Sequence, residues 1–404
     1  MEKNNSYGVR KNVLRELAEA FSCIHENFKY FNKLSKDGYK VLGASEWLLD
    51  NIYLIEKEYK GIKMEMPIDY FKGLSSISAD NYIKNEDKHK SADSKVINRN
   101  GEMDKEDSER VPPIFVVAKN YINNENEIDC DKFIDYINKL QEEGLDTKSE
   151  NRNFFTMGEL WAFPLMLKIA IIINLSKCTD ELVNIQKQII KGKNVADRVI
   201  DAINNDKFDE ETDNIKVDYE NISPLFFREF FRVLRDNSIE DERINNLIEF
   251  KWKVNTDYYN SNIKGDLREE FLERHIGEYI NSIRKIEGIS WRRFFENTSL
   301  VEKTLKQDPK KVYNNMDFES KDYYRHKLEK VARIIGESEI NLVNNILELA
   351  QNSVENKKED YKCHVGYYLI DDGINELNGY HNNKGFIISE NMYLSYNVLG
   401  TVIL

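Results

Sequence analysis

Thr156-Met157-Gly158-Glu159-Leu160-Trp161-Ala162-Phe163-Pro164-Leu165-Met166-Leu167-Lys168-Ile169-Ala170-Ile171-Ile172-Ile173-Asn174-Leu175 decides the fold. Its first four residues are a capping box. A threonine hydroxyl and a glutamate carboxylate three residues later satisfy each other's open backbone donors at a helix start. The run from Leu160 to Leu175 then offers apolar side chains all round the helix. It is shorter than the roughly 20 apolar residues that a membrane span needs, and Lys168 sits in its middle. It reads as a helix buried in the core of a helical protein.

Upstream, the pattern stays helical. Leu14, Leu17, Ala18, Phe21, Ile24, Phe28 and Phe31 recur at three- and four-residue steps, the signature of an amphipathic helix. Ser45 is placed to cap a helix from Glu46 to Lys60, with Trp47, Leu48, Ile52 and Ile55 inward. Phe133, Ile134, Tyr136, Ile137 and Leu140 mark a short one. Downstream, residues 204–221 form a polar, acidic joint. Ser223-Pro224 then reads as a cap with proline at the first helical position. After Trp291 the start signals come densely: a second box at Ser299 and Glu302, a turn at Asp308-Pro309, and a helix opening at Ser320. No stretch alternates with period two long enough for a central strand. The expected class is all-α, a bundle of paired antiparallel helices with polar linkers.

Composition agrees. Six prolines and 18 glycines in 404 residues leave helices few breakers, and a hydrophobic fraction of 41% supplies a core. The net charge of −13 and the lack of a basic run argue against nucleic acid. Cys23, Cys130, Cys178 and Cys363 form no CxxC pair and read as reduced thiols. Residues 73–110 hold seven basic and nine acidic side chains among sparse, unpatterned apolar ones, as a disordered insertion or linker does. The expected organisation is an N-terminal helical segment (1–72), that insertion (73–112), a main helical domain (113–390) and an apolar tail (391–404). The tail ends on Val398-Leu399-Gly400-Thr401-Val402-Ile403-Leu404 and reads as the start of a membrane span.

The sequence contains no phosphate-binding Gly-x-x-x-x-Gly-Lys-Ser/Thr loop, no Gly-x-Gly-x-x-Gly turn, no His-Glu-x-x-His and no Gly-x-Ser-x-Gly elbow. Asp129-Cys130-Asp131 has the form of a metal-holding aspartate pair, but it precedes a helix, where Asp131 reads as a cap. Of six histidines, His326 and His364 stand where either could carry a proton. The 22 tyrosines and 20 phenylalanines suit either a sugar-stacking surface or a core, and their helical spacing favours the core. If the chain processes glycosides by itself, it needs a carboxyl pair roughly 5–10 Å apart. Glu159, Glu296 and Asp371 are then the candidates, though no catalytic set is assigned.

Three blocks resemble cyclic β-1,2-glucan synthases. The first is Glu46-Trp47-Leu48-Leu49-Asp50-Asn51, with Tyr53 to Glu56. The second is Met157 to Lys168. The third runs from Trp291-Arg292-Arg293-Phe294-Phe295-Glu296 through Ser299 to Glu302, Asp308-Pro309, Val312-Tyr313, Met316 to Phe318 and Asp322-Tyr323-Tyr324-Arg325-His326. It ends at His364-Val365-Gly366-Tyr367-Tyr368-Leu369-Ile370-Asp371-Asp372-Gly373. The resemblance covers most of the chain from Glu46 to Gly373.

It implies a helical N-terminal region of a much longer inner-membrane enzyme, without that enzyme's catalytic modules. UDP-glucose and a divalent metal belong to the transferase module of such an enzyme, and no cofactor is expected in this chain. The implied partners are the catalytic modules of the synthase, β-1,2-glucan, and the inner membrane through the tail. The implied location is the cytoplasmic face of that membrane. The expected function is a non-catalytic accessory and docking region for glucan synthesis. The alternatives are a small glycoside-processing enzyme domain and a free-standing helical interaction protein.

Overall fold

The computed structural model describes residues 2–66, 77–78, 110–124, 128–146, 154–213, 224–239, 242–248, 262–373 and 376–377. Within them the chain is all-α. In chain order the helices are α1 (Glu2–Lys36), α2 (Gly43–Glu65), α3 (Pro113–Asn124), α4 (Cys130–Asp146), α5 (Met157–Asn204), α6 (Phe208–Asp213) and α7 (Pro224–Asp236). They continue with α8 (Glu242–Asn246), α9 (Asn262–Glu287), α10 (Trp291–Thr298), α11 (Leu300–Leu305), α12 (Phe318–Ile335), α13 (Glu339–Glu355) and α14 (Val365–Ile370). Single 3₁₀ turns at Tyr313–Asn315 and Asp360–Cys363 precede α12 and α14. Two short strands pair antiparallel, Ile77 with Val111 and Ser78 with Arg110. Otherwise the stretch expected to be an insertion lies outside the described residues, as does the tail from Val398 to Leu404.

The 48-residue helix α5 is the axis of the fold, packed by α1, α2, α3, α6, α7, α9 and α10. Its capping box is present in both directions: Glu159 N–H donates to Thr156 Oγ1 at 3.2 Å, and Thr156 N–H donates to Glu159 Oε2 at 2.9 Å. By length and composition α5 could cross a membrane, yet 72% of its most apolar window is buried against other helices here. Lys168 explains itself in that setting: its ammonium meets the buried Glu58 carboxylate of α2 at 2.6 Å.

One large core runs from α1 through α5 to α14. A smaller one joins Val195, Ala196 and Val199 of α5 to Phe226, Phe227 and Phe230 of α7, and to Ile244 and Leu247. Most of the largest fully buried side chains are aromatic, among them Tyr121, Phe133, Phe163 and Phe230. Among the described residues, many of the aromatic side chains thus lie in the core.

Two expected helix starts and one expected capping box are corrected. The helix expected at Glu46 opens at Gly43, with Ser45 inside its first turn donating to the Leu42 carbonyl. The one expected at Ser320 opens at Phe318 and is capped by Asp317, which accepts from Ser320 N–H at 2.7 Å. Ser299 caps α11 by accepting from Glu302 N–H, but the Glu302 side chain does not return to close a box. Asp317, an equally short polar neighbour, took the role of Ser320, and tertiary partners hold the Glu302 side chain, whereas α2 begins after Leu42 with no side-chain cap.

Candidate functional site

The blocks that lie far apart in sequence meet in space. Trp161 of α5 stacks on Phe295 of α10 at 4.7 Å between centroids, and Phe163 stacks on Phe294 at 5.3 Å. Trp291 stacks on Phe133 of α4. These rings join the second block to the start of the third and fix α10 on the axis.

Beyond that wall lies a fully buried polar group. Glu302, with no exposed surface, receives the Tyr313 hydroxyl at 2.6 Å and Arg325 Nε at 3.0 Å on the same oxygen. Arg325, 2% exposed, lies between the rings of Phe295 and Phe318. Burial and the neighbouring Glu302 carboxylate hold the Tyr313 phenol far above its ordinary range. An ion pair this dry needs a phenol and two ring faces to offset its desolvation.

Asp308 organises the next layer. Its buried carboxylate accepts the backbone N–H groups of Val312, Tyr313 and Val365 at 2.9, 3.2 and 3.1 Å, and meets His364 Nδ1 at 2.9 Å. Burial would raise its pKa; the histidine and the backbone donors outweigh that and hold it below the usual aspartate value. With Asp308 ionised, His364 donates from Nδ1 and presents Nε2, which lies 3.4 Å from the Tyr324 hydroxyl. Gly366 makes the approach possible, because a Cβ there would stand 2.5 Å from both His364 Nε2 and the Tyr324 oxygen.

Tyr324, His364 and Gly366 line a cavity of about 420 Å³ between α12 and α14. Lys310, Asp360, Tyr361, Tyr367 and Asp371, with the apolar Val312 and Ile370, complete its wall and rim. The volume falls in the range of small-molecule sites, roughly 300–1,000 Å³. Tyr361 and Tyr367 meet edge to face at 5.4 Å, and Lys310 is bridged to Asp360 at 2.7 Å.

The carboxylates singled out in the sequence go to three different places. Glu159 is 1% exposed and engaged in its box. Glu296 pairs with Arg292 along α10 at 3.1 Å. Asp371 is exposed on the cavity rim. No hydrogen bond or ion pair joins any two of them among the described residues.

The Asp-Cys-Asp reading is corrected. Asp129 caps α4, accepting Asp131 N–H and Lys132 N–H at 2.9 and 3.1 Å, while Asp131 bonds Arg293. Both carboxylates thus have partners within the fold. Among the described residues no three His, Cys, Asp or Glu side chains converge as metal ligands.

Of the two histidines noted in the sequence, His326 is exposed and bound within its own helix, and His364 is the one at the cavity. Tyr313, Tyr324 and Arg325 stood in the quoted blocks without a role, and Asp308 was read only as part of a turn. Their only signal was the density of polar residues in an otherwise apolar pattern.

No family model matches the chain. Among curated proteins it is similar to the cyclic beta-(1,2)-glucan synthase NdvB of Rhizobium meliloti (strain 1021), 23% identical over 327 residues. The match takes in 80% of this chain and 10% of that protein, so the chain spans about a tenth of the length of the curated relative it matches. By its sequence the chain is thus similar to one segment of a cyclic β-(1,2)-glucan synthase.

Proposed function

We propose that this chain is a non-catalytic helical accessory region of cyclic β-1,2-glucan synthesis, acting beside catalytic modules at the cytoplasmic face of a membrane. The observation that supports the reading is similarity over 80% of the chain to a synthase ten times longer than the matched segment. The residues of the quoted blocks also serve packing and a cavity rather than a paired-carboxylate site. On this reading UDP-glucose is handled by the transferase module, and this region shapes or docks it.

The test has two arms. The pure chain, incubated with UDP-glucose and Mg²⁺ or Mn²⁺, is expected to transfer no glucose. Membranes carrying a cyclic glucan synthase that lacks the matching segment are expected to recover glucan output when this chain is co-expressed, and to co-purify with it. Glucose transfer by the chain alone, abolished by Asp129→Ala, would overturn the reading. So would an output and a pull-down unchanged by the chain.

A further inference from the structure

The cavity between α12 and α14 is not accounted for by an accessory role, and its chemistry is specific. Beside Tyr324 and His364 it carries two tyrosine rings inclined at 70° to each other: Tyr361, 57% exposed, and Tyr367, 8% exposed. Its charges nearly cancel, since the Lys310 ammonium is already bridged to Asp360, and Asp371 adds one more carboxylate at the rim. An anion would find no uncompensated cation there. A peptide would need a longer groove than a cavity of about 420 Å³ between two short segments. A neutral, polyhydroxylated ring fits all of these features. Its axial C–H face lies on a tyrosine ring, and its equatorial hydroxyls find carboxylate acceptors and an ammonium donor at the edge.

The floor is also held rigidly. Asp308 fixes His364 through Nδ1, His364 faces the Tyr324 hydroxyl, and Gly366 permits the close approach. A site whose wall is oriented by buried donors and acceptors binds without first ordering its own side chains.

We propose that this cavity is a carbohydrate subsite that takes a pyranose unit of a neutral glucan. The ring would lie on the exposed face of Tyr361 with Tyr367 at its edge, and its hydroxyls would meet Asp371 and Lys310. The choice of a β-1,2-linked glucan rests on the reading of the preceding subsection; the existence of a sugar site does not.

The full 404-residue chain would be titrated with linear β-1,2-linked gluco-oligosaccharides, and in parallel with β-1,4- and α-1,4-linked ones, by calorimetry and by NMR. Saturable binding is expected. Tyr361→Ala and Asp371→Asn are each expected to weaken it by about tenfold, the loss that follows from removing one aromatic or charge-assisted contact. Both residues are exposed, so an unchanged melting curve checks that each variant is folded. Tyr323→Ala, an exposed tyrosine outside the cavity, is expected to leave binding unchanged. Equal binding of all linkages, lost in Tyr361→Ala, keeps the sugar site and removes the β-1,2 assignment. No saturable binding of any oligosaccharide, or binding indifferent to Tyr361→Ala and Asp371→Asn, overturns the proposal. The accessory role is read separately, from the glucan output of co-expressing membranes.

Discussion

Arg325 and Glu302 show how much a single buried contact can matter. Neither side chain reaches water, and their bond is supported by Tyr313 on one side and two phenyl rings on the other. Removing one partner leaves the other buried charge with a longer ion pair only, Lys306 at 3.4 Å from Glu302 or Asp322 at 3.7 Å from Arg325. Arg325→Leu is expected to cost roughly 3–5 kcal/mol, whereas Arg325→Leu with Glu302→Leu should recover most of that loss. Urea unfolding of the two singles and the double variant measures the cycle. Additive losses would show that the pair does not act as a unit.

Glu339, at the start of α13, makes a pH-dependent case. It is half-buried, accepts Met157 N–H at 2.8 Å, and sits near the Glu159 and Glu329 charges. Burial first, then those charges, push its carboxyl up to about 7. A raised pKa means that its contribution is fully present below the ordinary carboxylate value and is lost as pH rises through about 7. Glu339→Gln should therefore be more stable than the natural chain by about 1–2 kcal/mol at pH 8, and equal to it near pH 4. Urea midpoints at the two pH values decide it; equal midpoints at both would refute the shift.

Among the elements, α5 and α7 approach closely at Gly192. A Cβ at Gly192 would stand 2.3 Å from the Phe226 carbonyl oxygen. Backbone cannot yield as a flexible side chain does, so Gly192→Ala should push the helices apart and cost roughly 1–3 kcal/mol. Gly61, inside α2, meets nothing within 4 Å of its Cβ position. Gly61→Ala should instead stabilise by up to about 1 kcal/mol, through helix propensity and a less flexible unfolded chain. Opposite shifts in melting temperature are the expected result. Gly336, which ends α12 with φ of 76°, serves a third purpose, closing the helix in the left-handed region that other residues enter at a cost.

For the molecule as a whole, α5 passes from the large core into the small one. Stability is expected to follow burial, so the small core should open more easily than the large one. Amides of 195–202 and 225–234 should exchange through an opening of lower free energy than those of 162–175. Phe230→Ala should speed exchange in the first group and spare the second. Hydrogen exchange with mass detection reads both, and equal acceleration across α5 would mean a single cooperative unit.

Legibility in the sequence followed locality. Periods of 3.6 residues, the scarcity of proline and glycine, and the box at Thr156 and Glu159 depend on near neighbours, and they were enough for the all-α class and for a buried core helix over Leu160 to Leu175, though not for its length or its place as the axis. Competition among adjacent cap residues was already harder: Asp129 displaced Asp131, and Asp317 displaced Ser320, because side chains one to three residues apart can reach the same open amides. The polar groups were hardest. Ser299 and Glu302 have the spacing of a box, yet Glu302 bonds Tyr313 and Arg325, 11 and 23 residues away. Asp308 and His364 lie 56 residues apart and meet only when α14 folds back on α12. The local sequence thus determined which segments are helices and which faces are apolar. The packing of those helices decided which carboxylate meets which donor and where a cavity opens, because burial makes a polar group's partner obligatory while nothing in the nearby sequence says which partner it will be.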